Sequence, residues 1–415
     1  MRTGSRSLVA RIGAARHSWP GWLNESVDQL LRFAPAAILR WLDRRLLAGT
    51  EAPPLPAVQP AAIRLYIAPA NFAGQGFEWA RAVERGVAGA TAVNMAFSSS
   101  ADFAYPADQS VSEVVYRSSR FWQRRQWRAV RDAFTHVLIE AERPLFGRYF
   151  EGGVAGEVGA LLSRGIDVAF LCHGTDVRLP SRHAGWEPDS PFRPGLWERT
   201  DDLERRARTN LELLARSGRR VFVSTPDLLL DIPSAEWLPV VVQPDRWQTK
   251  TPPMRSAVPI VVHAPSKAIV KGSDLIDPVL TRLDADGVIR YRRVQGVPAA
   301  DMPEIYRESD IVLDQFRIGN YGVAACEALA AGRVVVSHVS TQVRDAVLTY
   351  SGRTLPIIES RAADLEMTLR RIIDRPEEAK AAATSGPDFV RGLHDGGRSA
   401  AVLEGWLSGG FPTAS

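Results

Sequence analysis

Residues 310–337, DIVLDQFRIGNYGVAACEALAAGRVVVS, admit few folds. Residues 311–313 are a short apolar run with an acid on either side, the pattern of a strand buried on both faces of a parallel sheet. A polar loop containing glycine, residues 314–321, follows. Residues 322–331 are rich in good helix formers, and Gly332 stands where a left-handed residue closes a helix. Residues 333–337 read as a second strand. The helix N-terminus turns free backbone amides toward the loop, and such a terminus attracts anions, phosphates above all. Glu327 lies inside that apolar helix and needs a partner. Either it sits in an ion pair or on a solvated face, or it accepts two hydroxyls of a sugar or ribose.

These residues resemble the donor-nucleotide site of the large, mostly retaining glycosyltransferase family with the two-domain GT-B fold. In that family a loop and helix of the form Gly-x-x-Glu-Ala-x-Ala-x-Gly hold a nucleotide sugar; Glu327, Ala328, Ala330 and Gly332 fit that frame, with Gly322 as the glycine five positions before the Glu. The resemblance covers the chain from about Ile63 onward. It implies a nucleotide diphosphate sugar as substrate, with no cofactor and no metal. It assigns Glu327 to the ribose and Gly319, Asn320, Tyr321 and Val323 to the donor sugar. The family often carries a second Glu eight positions before the helix Glu; Gly319 stands at that position here.

The chain of 415 residues suits two domains better than one. No apolar run approaches the ~20 residues of a membrane-spanning helix, and the first residues show no secretory signal. Cys172 and Cys326 form no disulfide or metal pattern. A cytoplasmic location follows as the expectation. The formal net charge is +4. An equal excess lies in the first 60 residues, where eight arginines (Arg2, Arg6, Arg11, Arg16, Arg32, Arg40, Arg44, Arg45) face four acids. Residues 23–47 read as a helix interrupted at Pro35, with Trp41 among its apolar positions. A basic helix with tryptophans lies on an anionic membrane surface or packs on the neighbouring domain. No nucleic-acid motif is present.

The organisation expected is a helical arm and Pro-rich linker over 1–60, an acceptor-side Rossmann-like domain over 61–243, and a linker over 244–259. A nucleotide-sugar-binding Rossmann-like domain over 260–395 and a C-terminal helix over 396–415 complete it. In the first domain, strands are expected at 63–68, 91–97, 136–140, 167–172, 220–224 and 238–242, alternating with helices. That rhythm predicts a parallel sheet. The loop 69–76 with Gly74 and Gly76 lies at a strand-to-helix turn, where such sheets bind ligands. The resemblance sets it against the donor diphosphate. His173 and Asp176 follow the strand 167–172, so His173 points into the crevice; the resemblance places a His-Gly-x-Asp stretch near the transferred sugar. Residues 181–199 read as a long polar loop, a surface lid or an acceptor contact.

In the second domain, a strand at 260–264 leads to a loop with Lys267 and Lys271. Two lysines there can bridge a diphosphate as point charges, and the family has a basic residue and Lys-Gly on this loop. Gly296 and Val297 follow the strand 289–294, near the nucleobase by the same resemblance. Asp284 and Asp286 read as turn residues rather than a metal pair. A strand at 355–358, a helix at 362–374 and a last helix at 398–407 end the chain.

The fold expected is thus α/β, two Rossmann-like domains facing each other across a cleft (GT-B), with a helical N-terminal arm. The function expected is hexosyl transfer from a nucleotide-sugar donor to a glycan, lipid or small-molecule acceptor in glycan biosynthesis. A nucleotide-sugar epimerase or hydrolase, a non-catalytic nucleotide-sugar-binding protein and a peripheral membrane scaffold are the alternatives.

Overall fold

The computed structural model of the chain describes residues 26–27, 30–47, 53–98 and 105–409. The expectations for Arg2, Arg6, Arg11 and Arg16 fall outside these residues.

Two parallel sheets carry the molecule. The first runs β3-β2-β1-β4-β5-β6-β7, with β1 Ile63–Ala68, β2 Ala90–Ser98, β3 Gln109–Ser112, β4 His136–Glu140, β5 Asp167–Cys172, β6 Val221–Val223 and β7 Glu236–Trp237. The second runs β12-β11-β10-β8-β9, with β8 Ile260–His263, β9 Arg290–Arg293, β10 Ile311–Leu313, β11 Val334–Ser337 and β12 Ile358–Glu359. Every residue of β4, β5, β10 and β11 is buried. Continuous apolar runs such as VLI and VVV satisfy both faces of a covered parallel sheet at once. In each sheet the strand order reverses once, between β1 and β4 and between β8 and β10. Loops at the carboxyl ends of these strands therefore open a crevice.

The helix Gln75–Gly86 buries Trp79, Ala80, Ala82 and Val83 against the first sheet, and the Trp79 indole donates to the Pro239 carbonyl at 2.9 Å. The last helix, Gly397–Leu407, packs on it so closely that a Cβ on Gly86 would lie 2.5 Å from that of Ala400. The arm helix Ala36–Leu46 packs on the helix Arg120–Ala133. Leu39 is its buried residue, and Ser119 donates to Asp43.

Four segments differ from the sequence reading. The polar edge strand β3 was not expected. The strand expected at 238–242 is extended chain outside the ladder; Val241 donates to the Gln75 amide and Val242 to the His394 carbonyl, so its polar groups are met elsewhere. The 18-residue helix Pro376–Leu393, which carries Gly386 and Pro387 in its interior, was not expected. It crosses the helix Val323–Ala330 so tightly that a Cβ on Gly386 would lie 2.7 Å from the Leu329 carbonyl. The expected loop 181–199 begins as the helix Pro180–Trp186. It is no surface lid: His183, Glu187, Ser190 and Phe192 are buried, and His183 Nε2 lies 3.2 Å from the Ile318 carbonyl of the second domain.

Candidate functional site: the interdomain crevice

The loops after β8 and β10 meet where the second sheet reverses. Lys271 Nζ pairs with Asp314, which follows β10 directly. The other Asp314 oxygen accepts from the Gly322 amide at 3.4 Å. Gly322 is the N-cap of the helix Val323–Ala330. The cation and the helix N-terminus expected to hold a diphosphate thus stand together, with a carboxylate of the chain between them.

A cavity of about 200 Å³ lies beside them. Lys271, Gly296, Val297, Val323 and Glu327 line it, and Tyr105 of the first domain closes it. A smaller cavity of about 40 Å³ continues past Tyr105, Val323 and Glu327 to Gly74 and Arg246. Gly296 and Gly74 both have left-handed φ, 67° and 75°, where a side chain is strained. A Cβ on Gly74 would also lie 3.0 Å from the Tyr105 ring. Among the described residues no hydrogen bond or ion pair engages the Glu327 carboxyl. Burial pushes it up to about 8, against the pull of Arg246 and Lys271. A wider hollow of about 640 Å³ runs along the helix Leu365–Asp374, but its Glu366 and Arg370 already pair with each other at 3.0 Å.

On the first-domain side, Glu140 ends β4 and is fully buried. One of its oxygens accepts from the Ala70 and Asn71 amides, each at 2.9 Å. The other faces His173 Nε2 at 3.2 Å without the alignment of a hydrogen bond, and neither atom has another partner among the described residues. Phe72 meets the His173 ring edge-on at 5.0 Å, and Trp79 lies 5.8 Å from it. Sequence reasoning missed Glu140. Its signal was an acid ending an otherwise apolar strand.

Several predicted residues have other tasks. Both Asp176 oxygens accept backbone amides, from His173 at 2.7 Å and Gly174 at 2.5 Å, so Asp176 holds the His173 loop in shape. Asp176 also belongs to a buried group with Glu142 and Cys172. Burial first, then Asp176, drives the Glu142 carboxyl well above its ordinary range. Gly76 leaves room for Asn71 and Glu140, whose side-chain oxygens would lie 3.2 and 3.3 Å from a Cβ there, and it does not line either cavity. The Asp284 carboxyl accepts from the Tyr291 amide at 2.8 Å. Lys267 caps the short helix Ala268–Lys271 and is exposed.

The loop expected at the donor sugar is spent on joining the domains. Gly319 has φ 73°, and a Cβ there would lie 3.4 Å from Glu187 Oε2 and 3.5 Å from His338 Nε2. Asn320 donates to Asp227 of the first domain at 2.7 Å. The Tyr321 hydroxyl lies 3.1 Å from His394 Nε2. His338 bridges Glu187 at 2.8 Å and Glu359 at 2.7 Å, and Arg361 pairs with Glu187 at 2.8 Å. Of the four residues assigned to the sugar, Val323 lines both of these cavities, and Gly319, Asn320 and Tyr321 line neither.

No family model matches the sequence, and no curated protein matches it. Among solved structures, Anabaena Alr3699/HepE in complex with UDP and glucose aligns with a TM-score of 0.53 and 10% identity, over 83% of this chain and 99% of that one. The same protein with UDP aligns with a TM-score of 0.52 and 9% identity over the same shares. WaaG, a glycosyltransferase involved in lipopolysaccharide biosynthesis, aligns with a TM-score of 0.48 and 14% identity, over 84% of this chain and 100% of that one. The chain has the GT-B fold. In GT-B terms, both cavities described above lie in the crevice between its two Rossmann-like domains.

Proposed function

We propose that this GT-B protein transfers a hexosyl group from a nucleotide diphosphate sugar to an acceptor hydroxyl without a metal. The observation that carries this reading is the cavity at the second sheet's reversal, lined by Lys271 and by the free Glu327 carboxyl, with the Gly322 helix terminus beside Lys271 across Asp314. These groups offer a nucleoside diphosphate a cation and amides for its phosphates and a carboxylate for its ribose. As the glycosidic bond breaks, charge grows on the leaving diphosphate. Lys271 and the helix dipole stabilise it, and fixed groups of this kind act most strongly out of water. Asp314 holds Lys271 in place and must yield when phosphate arrives. Glu327 accepts ribose hydroxyls, Gly296 and Val297 line the base, and His173, beside Glu140, stands on the acceptor side for proton movement.

The HepE complexes hold UDP and glucose, which makes UDP-glucose the first donor to assay. The acceptor is a glycan, lipid or small molecule. Presentation at an anionic membrane on the cytoplasmic side is part of the proposal. On the arm, Leu30 is 74% exposed and Phe33 83%, beside the exposed Trp41, Arg40, Arg44 and Arg45. Apolar rings flanked by arginines suit a headgroup layer.

One observation favours a second reading, a nucleotide-sugar-binding protein without turnover. The Gly319 position offers no carboxylate to the sugar, and Asn320 and Tyr321 are occupied. A thermal-shift panel of nucleotide sugars followed by product analysis decides between them. Glycoside formed with an acceptor supports transfer, free sugar alone supports hydrolysis, and binding with unchanged donor supports the second reading.

A further inference from the structure

Tyr105 has no task in the reaction proposed above, yet it stands where the nucleotide would lie. The cavity of about 200 Å³ is walled by second-domain residues, Lys271, Gly296 and Glu327 among them, and by Ala73 and Tyr105 of the first domain. Tyr105 also lines the cavity of about 40 Å³ that runs on to Gly74 and Arg246. Glu327 and Val323 line both cavities too. The half-buried Tyr105 ring therefore sits with Glu327 on the boundary between the two spaces. Its seat is built. A Cβ on Gly74 would lie 3.0 Å from Tyr105 Cδ1, so the bare backbone at Gly74 makes room for the ring. The carbonyl of the next residue, Pro106, accepts from the Asn71 side chain at 3.0 Å. Asn71 in turn donates its backbone amide to Glu140 and accepts from the Phe77 amide, both at 2.9 Å. The ring is thus tied to the end of β4 and to the start of the helix Gln75–Gly86, while it faces groups of the second domain.

We propose that Tyr105 is a specificity-determining residue for the donor: its ring covers the ribose held at Glu327 and excludes nucleotides that carry a substituent on the ribose hydroxyls. The proposal rests on the reading of the larger cavity as the nucleotide site and adds a first-domain contact to it. A ribose oxygen held by Glu327 lies at the boundary of the two spaces. A group attached to that oxygen meets the Tyr105 ring, and the space of about 40 Å³ beyond it holds little more than one water molecule. Truncation of Tyr105 joins the two spaces and makes room for such a group. An aromatic face on the ribose also contributes apolar burial to the affinity. Because the ring belongs to the first domain, a nucleotide packed on it ties the two domains together.

Full-length protein, UDP and its 2′/3′-O-(N-methylanthraniloyl) derivative test this, or the matching pair for whichever nucleoside diphosphate the wild type binds. Calorimetry reads the affinity for UDP, and the anthraniloyl fluorescence reads that for the derivative. The wild type should prefer UDP by about a hundredfold. Tyr105→Ala should weaken UDP about threefold to tenfold, the worth of one aromatic contact. It should bind the derivative more tightly than the wild type does, so that the preference falls by about tenfold or more. Tyr105→Phe should restore the preference, since the ring and not the hydroxyl carries it. Damage to the fold weakens both nucleotides alike and leaves the preference as it was, so an unchanged preference in Tyr105→Ala overturns the proposal. Equal binding of the two nucleotides by the wild type overturns it too. If Lys271→Ala weakens UDP while Tyr105→Ala keeps the preference, this proposal falls and the donor reading stands. If the wild type binds no nucleoside diphosphate, both fall.

Discussion

The Glu327 carboxyl makes donor binding depend on pH in a direction that can be worked out. In the free protein, burial raises it to about 8, so at pH 7 it is mostly neutral. Ribose hydroxyls donate to the charged form more strongly than to the neutral one. Binding should therefore release a proton, and donor affinity should rise with pH and level off above about 8. Below that value each pH unit costs about 1.4 kcal/mol, so at pH 6 the donor binds about a hundredfold more weakly than on the plateau. UDP-glucose is the suitable probe, because its esterified diphosphate does not titrate in this range. Calorimetry in buffers of different ionisation enthalpy should count close to one proton released at pH 7. Glu327→Gln removes the titration. Near pH 6 it should match the wild type, and at pH 9 it should bind about ten- to a hundredfold more weakly. The same raised value costs the free protein stability as pH climbs from the ordinary carboxyl range toward 8. A flat pH profile in the wild type, or an equal slope in Glu327→Gln, refutes the reasoning.

Three other outcomes are expected. Lys271→Ala should weaken UDP and UDP-glucose alike by calorimetry, since it removes the cation and leaves Asp314 unpaired where phosphate must enter. Burial pulls the His338 imidazolium down, but Glu187 and Glu359 outweigh this and lift it to about 9; the stability it adds is complete below about pH 6.5 and is lost as pH rises through 9. His338→Gln should therefore lower the melting temperature at pH 6 by a few degrees, with the difference closing by about pH 10. Sedimentation with phosphatidylglycerol vesicles should be salt-sensitive and should fail when Phe33 and Trp41 are changed to Ser; equal sedimentation by that variant rejects the membrane reading.

The fold was legible wherever one strand's composition settled its environment. β10 and the first three residues of β11 are apolar because both faces of a parallel sheet are covered, and half of the residues of the helix between them are Ala. Legibility failed where a partner distant in sequence overrode the local signal. Gly386 and Pro387 look like a helix stop, yet the glycine is what lets the helix Pro376–Leu393 approach Leu329. Residues 238–242 look like a strand, yet Gln75 and His394 supply the partners a ladder would have. β3 is short and polar because it lies at a sheet edge, with the Gln109 side chain donating to Gln126.

The candidate site divides along the same line. Lys271, Glu327, Gly296, Val297 and Val323 come together because each is on, or directly after, an element whose place in the sheet the chain rhythm predicts. Gly319, Asn320 and Tyr321 lie on a loop, and spacing does not reveal where a loop side chain turns. Their partners Glu187, Asp227 and His394 lie 132, 93 and 73 positions away. At Gly319, where the resembling family often has a second Glu, the left-handed backbone strains any side chain, and a Cβ there would touch Glu187 and His338 at ordinary contact distance. The carboxylate next to that position is supplied by the other domain, as Glu187. His338 and Arg361 outweigh the effect of burial and hold Glu187 down at about 2, so it is charged across the working range. Its charge is spent on His338 and Arg361 of the second domain. Glu187 is thus a bolt between the domains rather than a free acid beside Gly319.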